Sequence, residues 1–127
     1  VIGEETVGVE IGDGRQSVFF IPGCATMTPE LARRLRGAAL VFFDGTLWHD
    51  DEMIAAGIGN KTGRRMGHMS LDGSAGTIAS FAPLDVRRKV LVHINNSNPV
   101  LMADTPERAR TEAAGWEVGY DGMEIQC

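Results

Sequence analysis

The sequence is short of what several classes of protein require. It carries two cysteines in 127 residues, Cys24 and Cys127. That is too few for a disulfide framework and fits a reducing, cytoplasmic setting. No apolar run approaches the ~20 residues of a membrane-spanning helix, and no signal-peptide pattern opens the chain. Positive charge is also scarce, with 12 Lys and Arg against 17 Asp and Glu and a net charge of −5. An acidic domain of this kind makes a poor surface for nucleic acid or an anionic membrane. There is no internal repeat, low-complexity tract or linker, and the length allows one domain at most. The chain opens with Val1 in place of Met, in the middle of what reads as a strand. The expectation is therefore a piece of something longer.

What is present is an alternation of strand and helix signals rich in turns, with 16 glycines. Thr6–Ile11 alternates polar and apolar, Gly12-Asp13-Gly14 turns, and Gln16–Ile21 is β-branched and aromatic, which predicts a hairpin. Thr28-Pro29-Glu30 supplies a capping hydroxyl, a proline at the first helical position and an acid in the first turn. A helix is expected from there to about Arg36, stopped by Gly37. Ala38–Phe43 is a continuous apolar run, as in a strand covered on both faces. Asp50–Ala56 reads as a short helix, 57–67 as glycine-rich loop, and Ser70–Phe81 as a helix that starts late. Lys89–Ile94 is a strand. Asp104-Thr105-Pro106-Glu107 repeats the helix-start pattern, and Trp116–Tyr120 with Met123–Ile125 predicts a closing hairpin. Strands alternating with helices mean an α/β layered fold, and the opening hairpin means a mixed sheet.

Three predicted strands end in polar residues. The first ends at Pro22-Gly23-Cys24 and the second at Asp44-Gly45-Thr46. The third ends at His93, with Asn95, Asn96, Ser97 and Asn98 behind it. Ligands in layered α/β folds sit beyond the carboxyl ends of strands, so these ends form a candidate rim. Imidazole and carboxylate together suit zinc or iron, and two histidines with one carboxylate leave coordination positions open. Asp44, His68 and His93 are therefore the candidate ligands. Each also has a plainer account: Asp44 as a turn aspartate, His93 as a satisfied core histidine, His68 as loop. The run 95–99 suits either an Asx-turn loop or a pocket that hydrogen-bonds a polar substrate. Cys24 reads as a small buried residue, since nothing near it in sequence supplies a base. His49, followed by three acids, reads as an exposed neighbour of a helix start.

Several familiar motifs fail. Asn60 stands where a phosphate-binding loop needs glycine before Lys61. Lys61-Thr62-Gly63 has no Ser-x-x-Lys to accompany it. The dinucleotide fingerprint lacks its third glycine, and Gly-x-Ser-x-Gly is absent. Arg64-Arg65 reads as an anion-holding pair or as a solvated loop.

Phe42-Phe43-Asp44-Gly45-Thr46, Arg65-Met66-Gly67-His68 and above all His93-Ile94-Asn95-Asn96-Ser97-Asn98-Pro99 resemble the pyrroloquinoline quinone (PQQ) biosynthesis protein B family. Ile21-Pro22-Gly23-Cys24, Gly115-Trp116 and Asp121-Gly122 fit as well, so the likeness spans essentially the whole chain. That family lies within the metallo-β-lactamase-fold superfamily. The resemblance implies an αββα sandwich of two sheets with outer helices, of which residues 1–127 would be the C-terminal portion. It implies metal-site roles for Asp44, His68 and His93, with Asn95, Asn96, Asn98 and Arg65 facing substrate. The superfamily's first metal motif, His-x-His-x-Asp-His, has no counterpart here, so the site would be incomplete in this fragment.

The implied function is PQQ biosynthesis by metal-dependent hydroxylation of a Glu-Tyr-derived peptide precursor. Fe(II) with O2 would be the cofactor, with zinc as the alternative. A carrier that binds PQQ or its precursor and assists its transport is a second implied role, and a metallo-hydrolase a third. Nucleic acid is not an expected partner, no membrane segment is expected, and a homodimer is allowed.

Overall fold

The computed structural model describes residues 7–126, so residues 1–6, with Thr6 of the predicted first strand, and Cys127 lie outside the described residues. Five strands form one sheet in the order β1-β2-β3-β4-β5. They are β1 (Val9–Gly12), β2 (Ser17–Ile21), β3 (Leu40–Asp44), β4 (Lys89–Val92) and β5 (Trp116–Val118). β1 and β2 pair antiparallel across the 13–16 turn, which the Asp13 carboxylate closes by accepting from the Arg15 and Gln16 amides. All other pairings are parallel, Val18 lying opposite Leu40 and Val41 opposite Lys89. The sheet is mixed, as the hairpin signal required.

The helices form where the capping chemistry placed them. Thr28 accepts from the Leu31 amide at the start of α1 (Pro29–Leu35), and Thr105 accepts from Arg108 at the start of α4 (Pro106–Ala113). Between β3 and β4 lie only short pieces, α2 (Glu52–Ala55) and α3 (Thr77–Phe81), joined by loop and single 3-10 turns. These irregular segments bring His68 back beside β3.

The predicted closing hairpin does not form. β5 pairs in parallel with β4, and the Gly119 amide extends that ladder to Leu91 O. Met123 N bonds back to Tyr120 O in a turn, and 123–125 join no ladder among the described residues. β5 is three residues long and its pairing is spent on the buried neighbour β4. A local turn at Asp121-Gly122 did not suffice to recruit a further strand.

The two sheet faces differ. One carries Phe19, Ile21, Val41, Phe43 and Leu91, all buried against Leu35, Leu84, Val100 and the Phe81–Trp116 pair. The other carries Val9, Ile11, Phe20 and Phe42. Here Phe20 is 44% exposed and Val9 and Ile11 are open to solvent, while Phe42 is half-buried. So the apolar run in β3 is fully covered on one face and only partly on the other. Among the described residues no helix is long and apolar enough to cross a membrane.

The ring of Phe43 is fully buried and packs edge-on to Phe81, with centroids 4.8 Å apart. Truncation to Ala should cost about 3–5 kcal/mol through lost transfer energy and a residual cavity. Chemical denaturation of the Phe43→Ala variant of the full-length protein measures it.

Candidate metal centre

β3 ends at Asp44, and Gly45-Thr46 continue beside the end of β4, Gly45 N donating to Val92 O at 2.7 Å. The two backbones approach closely there, since a Cβ on Gly45 would lie 3.0 Å from Leu91 Cβ and 3.1 Å from Val92 O. The 45–46 segment therefore crosses directly under the start of the loop at His93. The Asn95 amide donates to Thr46 O, and the Asn98 side chain donates to Gly45 O. His68 arrives from the other side. Gly67 takes a left-handed φ of 88°, and His68 N donates to Gly63 O at 2.8 Å.

Three segments distant in sequence thus bring Asp44, His68 and His93 together. One ligand atom from each lies within 4.8 Å of the others, and burial grades from Asp44 (buried) through His68 (half-buried) to His93 (exposed). His68 Nδ1 lies 2.7 Å from Asp44 Oδ2, and the two imidazoles stack with centroids 5.3 Å apart. Metal–ligand bonds to nitrogen and oxygen run about 2.0–2.2 Å, so the cluster would have to draw in around any ion it held. Two imidazoles and a carboxylate are the donor set that zinc or ferrous iron takes. The residues present fit such an ion.

Asp44 does serve as a turn aspartate, its Oδ1 accepting from the Thr46 amide at 3.1 Å, and it sits in the cluster at the same time. The core-histidine account of His93 does not hold, because the residue is exposed. It also adopts φ 55°, a left-handed conformation that costs non-glycine residues roughly 1–2 kcal/mol and concentrates at functional sites.

The remaining candidates scatter. Asn98 is buried and its amide is engaged on both sides, donating to Gly45 O and accepting from Val100 N, so it fastens the loop. Asn95 donates to Ser97 Oγ, which donates to Glu52 at 2.5 Å, tying the loop to α2. Asn96 is exposed next to the cluster. Arg65 is exposed, while its neighbour Arg64 lines a cleft of about 300 Å³ with His68, Asp50 and Ser70. A second groove, of about 600 Å³, runs from His93 along the open sheet face over Phe20, Phe42, Val90 and Val92 to Tyr120. His49 stays outside the cluster, exposed and 3.8 Å from Asp72.

Cys24 contributes its backbone to the site, its amide donating to Asp44 Oδ2 at 3.0 Å. Burial pushes its thiol up and the Asp44 charge adds to this, against the hydrogen bond to Thr26 O. It is a structural thiol.

Sequence reasoning missed Thr46. Its hydroxyl lies within 3.1 Å of Asp44 and of both histidines. The sign was available in its position two residues after a strand-end aspartate, where a hydroxyl closes back onto the carboxylate.

A mixed-sheet α/β layer with a histidine–carboxylate cluster at its strand ends defines the class, and the chain belongs to the β-lactamase superfamily domain family, whose model matches residues 2–94. Within that class it is similar to Coenzyme PQQ synthesis protein B of Gluconacetobacter diazotrophicus, 66% identical over 121 residues, covering 95% of this chain and 39% of that protein. It is also similar to the crystal structure of Zn(2+)-bound PqqB from Methylobacterium extorquens, with a TM-score of 0.92 and 50% identity over 96% of this chain and 44% of that one. A diphosphatase of the PhnP family shares the fold at a TM-score of 0.59 and 17% identity, over 96% of this chain and 43% of that one. The chain spans 39–41% of the length of the curated relatives it matches.

Two outcomes are expected here. His93→Gly should leave the protein about 1 kcal/mol more stable than His93→Ala, because only glycine occupies the left-handed region without strain; equal melting temperatures would remove the strain argument. Iodoacetamide should modify Cys24 slowly at neutral pH, the rate rising as pH passes above the ordinary thiol range and thiolate forms. Mass spectrometry of the modified peptide follows it.

Proposed function

We propose that this chain is the C-terminal portion of a metallo-β-lactamase-like protein of PQQ biosynthesis, one that hydroxylates a Glu-Tyr-derived precursor using a bound metal ion. The observation that carries the proposal is the convergence of Asp44, His68 and His93 at the strand ends. The likeness to proteins named for PQQ synthesis, and to a Zn(2+)-bound relative, supports it. His93 and His68 ligate the ion, and Asp44 braces His68 through its Nδ1. Ferrous iron is the ion proposed, since it takes imidazole ligands and two of them leave positions free for oxygen and substrate. When bound, it supplies oxygen activation.

The chain's own groups do the rest. The exposed imidazole of His93 stands where the apolar groove meets the polar strand ends. Asn96 and the Arg64-Arg65 pair meet the precursor's carboxylates from the polar side; Asn98 and Asn95 hold the loop that presents them. The remainder of the longer protein covers the open sheet face and so buries Phe20, Val9 and Ile11.

In the full-length protein, His93→Ala should abolish stoichiometric Fe(II) binding and reduce ring hydroxylation of the precursor at least ~10²-fold, the scale of a lost catalytic group. Metal analysis and product mass spectrometry read the two effects. Unchanged turnover would overturn the assignment, and tight PQQ binding by metal-free protein without any turnover would make it a carrier.

A further inference from the structure

Thr46 Oγ1 is the most crowded polar atom of the site. It lies 2.5 Å from Asp44 Oδ1, 2.9 Å from His93 Nδ1, 3.0 Å from His93 O and 3.1 Å from His68 Nδ1. The residue itself is buried. A hydroxyl offers one proton and two acceptor lone pairs, so these neighbours fix where hydrogen atoms sit. O–H bonds to a carboxylate run about 2.5–2.7 Å, and the contact to Asp44 is the shortest of the four. The proton therefore goes to Asp44 Oδ1, and His93 O receives at most a share of it. Oγ1 can then only accept from a ring nitrogen, so His93 Nδ1 must carry hydrogen. His68 arrives at the same state by a separate contact, because Asp44 Oδ2 at 2.7 Å can only accept from its Nδ1.

The carboxylate is fully used by these contacts. Oδ1 accepts from the Thr46 amide and hydroxyl, and Oδ2 from the Cys24 amide and His68. That fills the ≈ four acceptor positions of a carboxylate.

We propose that Thr46 is the positioning residue of the metal centre. Its hydroxyl, anchored on Asp44, holds His93 as the Nδ1–H tautomer, while Asp44 braces His68 in the same form. Each imidazole then keeps Nε2 as its bare nitrogen, the one left to a metal ion. This rests on the metal-site assignment made above and deepens it, giving Asp44 the part of the carboxylate behind a ligating histidine, a kind of partner whose loss typically costs 10–100-fold in metal affinity.

The test is long-range proton–nitrogen NMR of the metal-free full-length protein at about pH 8, above the usual histidine range. Both His68 and His93 should show protonated Nδ1 and bare Nε2. In Thr46→Val, His93 should average between tautomers while His68, still held by Asp44, keeps its own. Zn(II) affinity, measured by chelator competition, should fall about 10–100-fold in Thr46→Val and return to near the wild-type value in Thr46→Ser. The proposal is overturned by an Nε2–H His93 in the wild type, by a His93 tautomer that Thr46→Val leaves unchanged, or by a Thr46→Ser variant as weak as Thr46→Val. Should Thr46→Val fail to fold, the wild-type tautomers together with the Thr46→Ser affinity decide. Wild-type protein that binds no Zn(II) or Fe(II) would overturn the metal-site assignment itself, while the tautomer measurement would still decide the role of Thr46.

Discussion

Everything at the strand ends is organised around one buried carboxylate. Asp44 is completely inaccessible to solvent, and an uncompensated carboxylate in such a place is among the costliest features a fold can carry. The chain compensates it from three directions at once: the Cys24 amide after β2, the Thr46 amide and hydroxyl just downstream, and the His68 ring from the irregular segment. Removing any one donor would leave part of the charge unsatisfied, a loss of about 1–3 kcal/mol or more for a charged group. The same contacts hold the two strand ends and the irregular segment together.

That constraint explains why the segment between β3 and β4 is so irregular. A single long crossover helix would carry the chain past the strand ends without returning to Asp44. Instead the chain breaks into α2, a 3-10 turn at Arg64–Met66 and α3, with Leu47 bridging Ser70 and Leu71 N bonding to Leu47 O. Gly63 allows the inner turn, because a Cβ there would lie 3.1 Å from His68 O and closer still to Leu47. α2 buries none of its residues, but Leu47, Trp48, Leu71 and Phe81 anchor the rest of the segment in the core. The core beneath β3 and β4 is correspondingly rigid, with Phe43, Leu91, Phe81 and Trp116 fully or nearly fully buried.

How much of this could be read from sequence follows from the range of each interaction. The helix starts at Thr28 and Thr105 were legible because a cap is settled within three residues. The strand ends at Asp44 and His93 were legible because the apolar runs stop there, and chemistry placed beyond strand ends is a property of the fold class. The partner of β5 was not legible, since a local turn signal at Asp121-Gly122 competes with a pairing across the whole 93–115 crossover. The left-handed backbone of His93 was also hidden: histidine does not ordinarily announce it, and only the loop fastened by Asn98 and Glu52 enforces it. Thr46 was hidden for a related reason. Its meaning appears only when His68 and His93, 22 and 47 residues away, are seen to converge on one hydroxyl.

The amide-rich loop illustrates how a specific sequence can be specific for mechanical reasons. The run from His93 to Pro99 looks like a substrate-binding surface, yet most of its polar atoms face inward. Asn98 grips Gly45 O and caps the turn at Pro99–Leu101, Asn95 leans on Ser97, and Ser97 reaches Glu52, whose other oxygen accepts from the Trp48 amide. Such a network over-determines the backbone, which is what a residue in a sparsely populated conformation needs to persist. A looser loop would let His93 relax to negative φ and swing its ring away from Thr46. The separation of tasks is therefore sharp: Asn95, Ser97 and Asn98 fix the backbone, Thr46 fixes the ring, and Asn96 is left free to face solvent and whatever approaches the imidazole.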